Sequence, residues 1–183
     1  MIQNVTVYCA SSRKLAEIYR QAATSLGRAI ALRGWGLIYG GDRAGLMGLV
    51  ADGASAAGGK VIGIIPKRMM KPEVVNERCT ELVPARDMRH RKEMLEDRGD
   101  ALLALPGGLG TLEEFFEVVV GRQLGFHRKP IVLLNVAGYF TPLLAMIDHG
   151  IEHQFIKPEA RKLFFVAETV EQAIGYLTRC DAE

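Results

Sequence analysis

Ala101-Leu102-Leu103-Ala104-Leu105-Pro106-Gly107-Gly108-Leu109-Gly110-Thr111-Leu112-Glu113-Glu114 passes from an apolar run through a glycine-rich turn into a helical pattern. An apolar run of this length, closed by turn residues, reads as a strand buried on both faces. The helical pattern follows over Leu112 to Leu124, and the same order recurs along the chain. Val5 to Cys9 precedes a helical stretch from Leu15 to Leu32, and Gly36 to Tyr39 precedes Leu46 to Ala57. Val61 to Ile65 ends at Pro66; Ile131 to Leu134 precedes Phe140 to His149, and Phe164 to Val166 precedes Val170 to Leu177. Strand then helix, repeated, is the pattern of a parallel sheet covered on both faces. The expected fold is α/β, a single-domain, Rossmann-like, doubly wound sheet over residues 1–183. Lys67 to Arg86 is the least periodic stretch and reads as a loop with one short helix or strand.

In such sheets a ligand sits beyond the C-terminal strand ends. The loops that matter are therefore Ala10–Lys14, Gly40–Gly45, Lys67–Glu77 and Pro106–Thr111. Lys and Arg number 23 against 21 Asp and Glu, a near balance that argues against a nucleic-acid partner. Cys9, Cys79 and Cys180 show neither a CxxC pair nor metal-ligand spacing, which suits a reducing, cytoplasmic setting. No apolar run approaches the ~18 residues of a membrane span, and the N-terminus reads as a strand rather than a leader.

The Pro106–Thr111 turn carries the strongest chemical signal. Glycines let backbone approach a ligand closely, and a helix start offers unpaired N–H groups and the positive end of the dipole. That combination suits a phosphate, although a tight turn without a ligand has the same spacing. The turn is neither a Walker A loop nor GxGxxG. Thr111-Leu112-Glu113-Glu114 also has the form of a capping box, with Thr111 as N-cap and Glu114 folding back. The other reading makes Glu114 a carboxylate in the first turn of a phosphate-binding helix. A helical wheel places Leu112, Phe115, Phe116 and Val119 on the core stripe, with Glu114, Glu117 and Gly121 opposite.

Arg86 and Met88-Arg89-His90-Arg91-Lys92 put four cations into seven residues at the start of a helix. A solvated basic face is the ordinary explanation. Arg89 and Arg91 cannot share a helix face, however, so one of them should point toward whatever the glycine turn holds. In Tyr39-Gly40-Gly41-Asp42-Arg43-Ala44-Gly45-Leu46-Met47-Gly48, Asp42 suits a helix cap, with ribose hydroxyls the alternative. Ser11 and Ser12 could serve a ligand or cap the next helix. His149 and His153, four apart without an HExxH pattern, read as surface residues, and no metal is expected. A GxSxG nucleophile elbow is absent from the sequence.

Taken together the motifs resemble the LOG family, long labelled lysine decarboxylases. The family signature PGGxGTxxE is complete at Pro106–Glu114, and GGG-x-x-GLMG stands as Gly40–Gly48 with Asp42 in place of the third glycine. Ile64-Ile65-Pro66-Lys67, Asp87-Met88 with Arg91-Lys92, and Gln123-Leu124-Gly125 match in order. The resemblance implies hydrolysis of a purine riboside 5′-monophosphate, a cytokinin riboside monophosphate or AMP, to free base and ribose 5-phosphate. It implies Arg91 and Glu114 as the catalytic pair, with Gly108, Gly110 and Thr111 on the phosphate and Glu73 and Lys92 lining the nucleotide site. Met88, Arg89, Leu109, Leu112, Glu113, Ser11 and Gly41 complete the implied substrate-binding set. It further implies a homodimer or larger assembly with the site near the subunit interface, and no cofactor. An amino-acid decarboxylase would need pyridoxal phosphate on a lysine, and nothing marks out such a lysine here. A non-catalytic nucleotide or cofactor carrier would keep the glycine loops without needing Arg91 and Glu114 together. Val120 and Gly121 stand where many members have Thr-Trp, so with Asp42 they bear on which N6-substituent is accepted.

Overall fold

A computed structural model describes residues 1–182. Seven strands form one parallel sheet: β1 Asn4–Tyr8, β2 Gly36–Tyr39, β3 Val61–Pro66, β4 Glu81–Ala85, β5 Ala101–Ala104, β6 Ile131–Leu134 and β7 Phe165–Ala167. The helices are α1 Glu17–Leu32, α2 Gly45–Ala56, α3 Met88–Arg98, α4 Leu109–Gln123, α5 Thr141–Glu152 and α6 Val170–Ala182. Strand order across the sheet is β4-β3-β2-β1-β5-β6-β7. The chain winds outward from β1 in one direction, then returns to β5 on its other side. Val5 accordingly faces Leu37 across one ladder and Ala101 across the other. That reversal opens a crevice beyond the C-terminal ends of β1 and β5, where α/β sheets take their ligands.

Alternation along the strands feeds two separate cores. Val5, Val7, Leu37, Tyr39 and Leu103 pack with α1, α2 and α6. Tyr8, Ile38, Ile64, Leu102 and Leu133 pack on the opposite face with α3, α4 and α5. Both faces are covered, which explains the near-continuous apolar strands. Among the described residues no helix is long and apolar enough to cross a membrane.

The irregular stretch Lys67 to Arg86 holds both a 3-10 turn, Lys67–Met69, and the edge strand β4. Glu81-Leu82-Val83-Pro84-Ala85 is half exposed and contains a proline, so it lacks the apolar continuity that marks the other strands. At the far edge β7 is three residues long. Helix α4 starts at Leu109, three residues before the expected start. Its N-cap is Gly108, so Thr111 lies inside the first turn and is buried. The capping-box reading of Thr111 and Glu114 is therefore overturned. The core stripe of α4 also differs: Thr111, Phe115, Val118, Val119 and Gly121 are buried, while Phe116 is exposed.

Helices α1 and α2 touch backbone to backbone. A Cβ on Gly27 would collide with the Val50 carbonyl oxygen, and one on Gly53 with that of Thr24. Alanine normally improves a helix interior by up to about 1 kcal/mol over glycine. At Gly27 the collision with backbone outweighs this gain, since overpacking costs about 1–3 kcal/mol. Gly27→Ala should lower the melting temperature by several degrees. Gly175→Ala in α6, where an added Cβ meets only the Arg179 guanidinium at 3.8 Å, should hold or raise it. Thermal unfolding of both variants followed by circular dichroism decides; equal shifts would refute the close-packed α1–α2 seam.

Candidate active site

The loop after β1 is the keystone of the crevice. The Ala10 amide donates to the Pro106 carbonyl at 3.3 Å, and the Ala10 carbonyl accepts from the Leu46 amide at 2.9 Å. The β1 loop thus hangs between the turn after β5 and the first turn of α2. That carbonyl does the work expected of a side-chain cap, because α2 has none. Asp42 instead accepts from the Ala44 amide at 2.8 Å and shapes the turn before the helix, which corrects the cap assignment. Gly41 has φ of +76°, and its carbonyl accepts from the Asn76 amide at 3.0 Å, tying the β3–β4 connection over the β2 end.

Asp87 caps α3 by accepting from the His90 amide at 2.9 Å, and this bond holds its carboxyl below the usual range. One turn in, Arg91 reaches under the crevice. Its Nε donates to the Ile64 carbonyl at 3.1 Å, and Nη1 donates to Glu114 Oε1 at 2.9 Å. Gly40 is a glycine for a spatial reason: a Cβ there would collide with the Arg91 guanidinium. The two ionised side chains are 12% and 13% exposed, so the pair is largely desolvated. Burial pushes the Glu114 carboxyl up from its ordinary range, and the charge and hydrogen bond of Arg91 pull against that rise without cancelling it. Glu114 Oε2 accepts no hydrogen bond among the described residues and is not sealed from solvent. Of the two arginines that could not share a face, Arg91 turns inward and Arg89 stays exposed.

A cavity of about 410 Å³ joins these parts. Of the residues implied at the substrate site, Ser11, Met88, Arg91, Lys92, Gly108, Leu109, Gly110, Thr111, Glu113 and Glu114 line it, together with Cys9, Ala10 and Met47. The first bond of α4 runs from the Leu112 amide to the Gly108 carbonyl, so the amides of Leu109, Gly110 and Thr111 precede the helical ladder. Such amides form an anion cradle. Lys92 is held between Glu113 at 2.8 Å and Glu117 at 3.1 Å.

Four expected residues are not brought to the cavity wall. Glu73 lies exposed in the turn after Pro72, Arg89 faces solvent, Leu112 packs on the second core and Gly41 is committed to backbone pairing. Cys9, Ala10 and Met47 are outside the implied substrate-binding set, although Ala10 opens the Ala10–Lys14 loop, Cys9 precedes it and Met47 lies in the Gly40–Gly48 motif. Tyr139 was also missed: its hydroxyl donates to the Gly107 carbonyl at 2.7 Å and pins the glycine turn from the β6–α5 connection. No local signal at Tyr139 announces this contact.

Comparison with known proteins bears on the family. A family model described as "Possible lysine decarboxylase" matches residues 47–177. A rice relative named "Probable cytokinin riboside 5'-monophosphate phosphoribohydrolase LOGL3" is 45% identical over 93% of this chain and 81% of its own. Cytokinin riboside 5'-monophosphate phosphoribohydrolases of Rhodococcoides fascians and Arabidopsis thaliana (LOG5) are 44% and 43% identical, over 94% and 96% of this chain and 88% and 77% of theirs. Among solved structures, the molybdenum cofactor carrier protein of Chlamydomonas reinhardtii superposes with a TM-score of 0.72 at 25% identity, covering 100% of this chain and 99% of its own. The molybdenum cofactor binding protein of Rippkaea orientalis reaches a TM-score of 0.76 at 23% identity over 98% of both chains, a likeness of fold alone. With close relatives matching almost its whole length, the chain belongs to the LOG family, to which the older decarboxylase description is attached.

Proposed function

We propose that the protein hydrolyses the N-glycosidic bond of purine riboside 5′-monophosphates, cytokinin or adenine, to free base and ribose 5-phosphate. The observation that carries this reading is the desolvated Arg91–Glu114 pair on the wall of a cavity that the amide-bearing start of α4 also lines. In the reaction the C1′–N9 bond breaks through an oxocarbenium-like state, and a water oxygen bonds to C1′. Glu114, fixed by Arg91 through Oε1, takes the proton from that water on Oε2, and the departing base gains one from solvent. A carboxyl raised by burial is a stronger base than a free one, closer to the neutral optimum for proton transfer. The Leu109, Gly110 and Thr111 amides hold the 5′-phosphate, and Ser11 and Lys92 face the same space. The scattered free thiols suit a reducing, cytoplasmic setting. Incubation with AMP and with cytokinin riboside monophosphates, reading free base by chromatography, tests the activity. Tight nucleotide binding with no base release would favour a carrier instead.

The same reading includes self-association. Phe116, Val120, Leu124 and Phe126 are exposed along and just beyond α4 and line an apolar groove that shares Lys92 and Glu113 with the cavity. We assign this face to a homodimer contact beside the site. Phe116→Glu should convert a dimer to a monomer in light scattering after size exclusion; an unchanged mass, or a monomeric parent protein, would remove the contact.

The amide cradle makes the phosphate a requirement. Adenosine would leave those N–H groups unpaired, at about 1–3 kcal/mol per group, so kcat/KM for AMP should exceed that for adenosine by at least ~10-fold. Equal values would sink the cradle assignment.

Glu114→Gln keeps an oxygen for Arg91 but cannot take a proton. Turnover should fall by roughly 10²-fold or more, while circular dichroism still shows a folded protein. The sign of the pH dependence follows from the raised carboxyl. Activity of the unaltered protein should fall with decreasing pH along a limb that lies above the ordinary glutamate value of ~4.3, because protonation removes the base. That limb should be missing from the residual activity of the variant. Full turnover in Glu114→Gln would transfer the role to another carboxylate.

A further inference from the structure

We propose that His149, Glu152 and His153 form a three-ligand site for a divalent transition ion of the Cu²⁺, Ni²⁺ and Zn²⁺ group, at the C-terminal end of α5. The spacing i, i+3, i+4 puts all three on one side of the last turn. Their ligand atoms, one from each residue, lie within 4.8 Å of one another, and the two imidazole rings stand with centroids 4.3 Å apart. The His153 amide donates to the His149 carbonyl at 3.0 Å, so the backbone fixes the spacing of the two positions from which the rings project. Two imidazoles and a carboxylate are the ligand types that borderline ions prefer and that Mg²⁺ does not. Ligands about 2.1 Å from a shared ion sit somewhat closer together than these atoms do; the side chains are exposed and free to close by that amount.

Electrostatics favour a cation at this position. The end of a helix carries the negative pole of its dipole, and Glu152 adds a full charge. Asp148, the other carboxylate on this turn, is taken by Arg161 at 2.9 Å and is not part of the ligand set. Beyond His153 the chain reverses at Gln154, with φ of +63°, so an ion bridging 149 and 153 would clamp the helix where it ends. Helix α5 contributes no residue to the cavity of the candidate active site, and the site leaves coordination positions open to solvent or to a group from another molecule. Sequence spacing showed a histidine pair and no more; the helix brings Glu152 between its members.

Calorimetric titration of the full chain with CuCl₂, NiCl₂, ZnCl₂ and MgCl₂ tests the site, with electron paramagnetic resonance of the copper form as a second readout. One ion per chain should bind, Cu²⁺ most tightly and Mg²⁺ not at all, and the copper spectrum should show imidazole nitrogen coupling. His149→Gln or His153→Gln should weaken binding at least ~10-fold, Glu152→Gln should weaken it less, and the bound ion should raise the melting temperature of the unaltered chain alone. All three positions are exposed, so circular dichroism should confirm that the variants fold. Unchanged titration of the His149→Gln/His153→Gln double variant, or no heat from the unaltered chain at about 1 mM Cu²⁺, would overturn the proposal.

Discussion

A guanidinium removed from water must find acceptors, and the placement of Arg91 organises everything around it. Its three nitrogens meet the Ile64 carbonyl in β3, the Glu114 carboxylate in the second turn of α4 and the bare backbone of Gly40 after β2. One side chain rooted in α3 therefore ties together elements that lie far apart in sequence. Ion pairs of this kind add little to stability, because desolvating two charges costs about what their attraction returns. What the arrangement does produce is a carboxylate held in place, stripped of most of its water and raised in basicity. Those are properties of a reactive group rather than of a structural strut.

The crevice that receives this pair follows from winding. Because β1 and β5 are neighbours while their chains leave in opposite directions, their end loops cannot cover one another. Ala10 spans the gap by donating to one glycine turn and accepting from the helix of the other. Two consequences follow from that one residue's backbone: α2 needs no capping side chain, and its dipole is spent on protein rather than on a ligand. The free helix start at the crevice is that of α4, where glycines 108 and 110 carry no side chains to screen the amides. In the proposed reading the amides at the start of α4 take the phosphate and Glu114 serves the bond to be broken, which orients the substrate in the cavity.

Much of this was legible in the sequence because it is local. Strands buried on both faces read as apolar runs, and the glycine turns announced the loops that matter. Even the divergence of Arg89 and Arg91 follows from helical geometry. What stayed hidden depends on contacts through space. The capping box at Thr111–Glu114 satisfies its pattern, yet Thr111 is drawn beneath Gly107, where a Cβ would collide with it, and the helix begins earlier. Gly40 resembles any turn glycine until Arg91 is seen against it, and Tyr139 reaches Gly107 from a segment with no motif at all. Strand β4 was legible only as one short helix or strand within Lys67–Arg86, because an edge strand with a proline has no apolar signature. Gly41, part of a family signature, pairs with the Asn76 amide instead, and Glu73, implied by the resemblance alone, stays exposed.

The two ends of the sheet carry one more implication. On one side Pro84 stands in β4 opposite Ile65 and offers no N–H; on the other, β7 stops after three residues. Neither border presents a row of free amides and carbonyls long enough to template another strand. Both borders therefore disfavour a second copy continuing this sheet into a ribbon-like polymer.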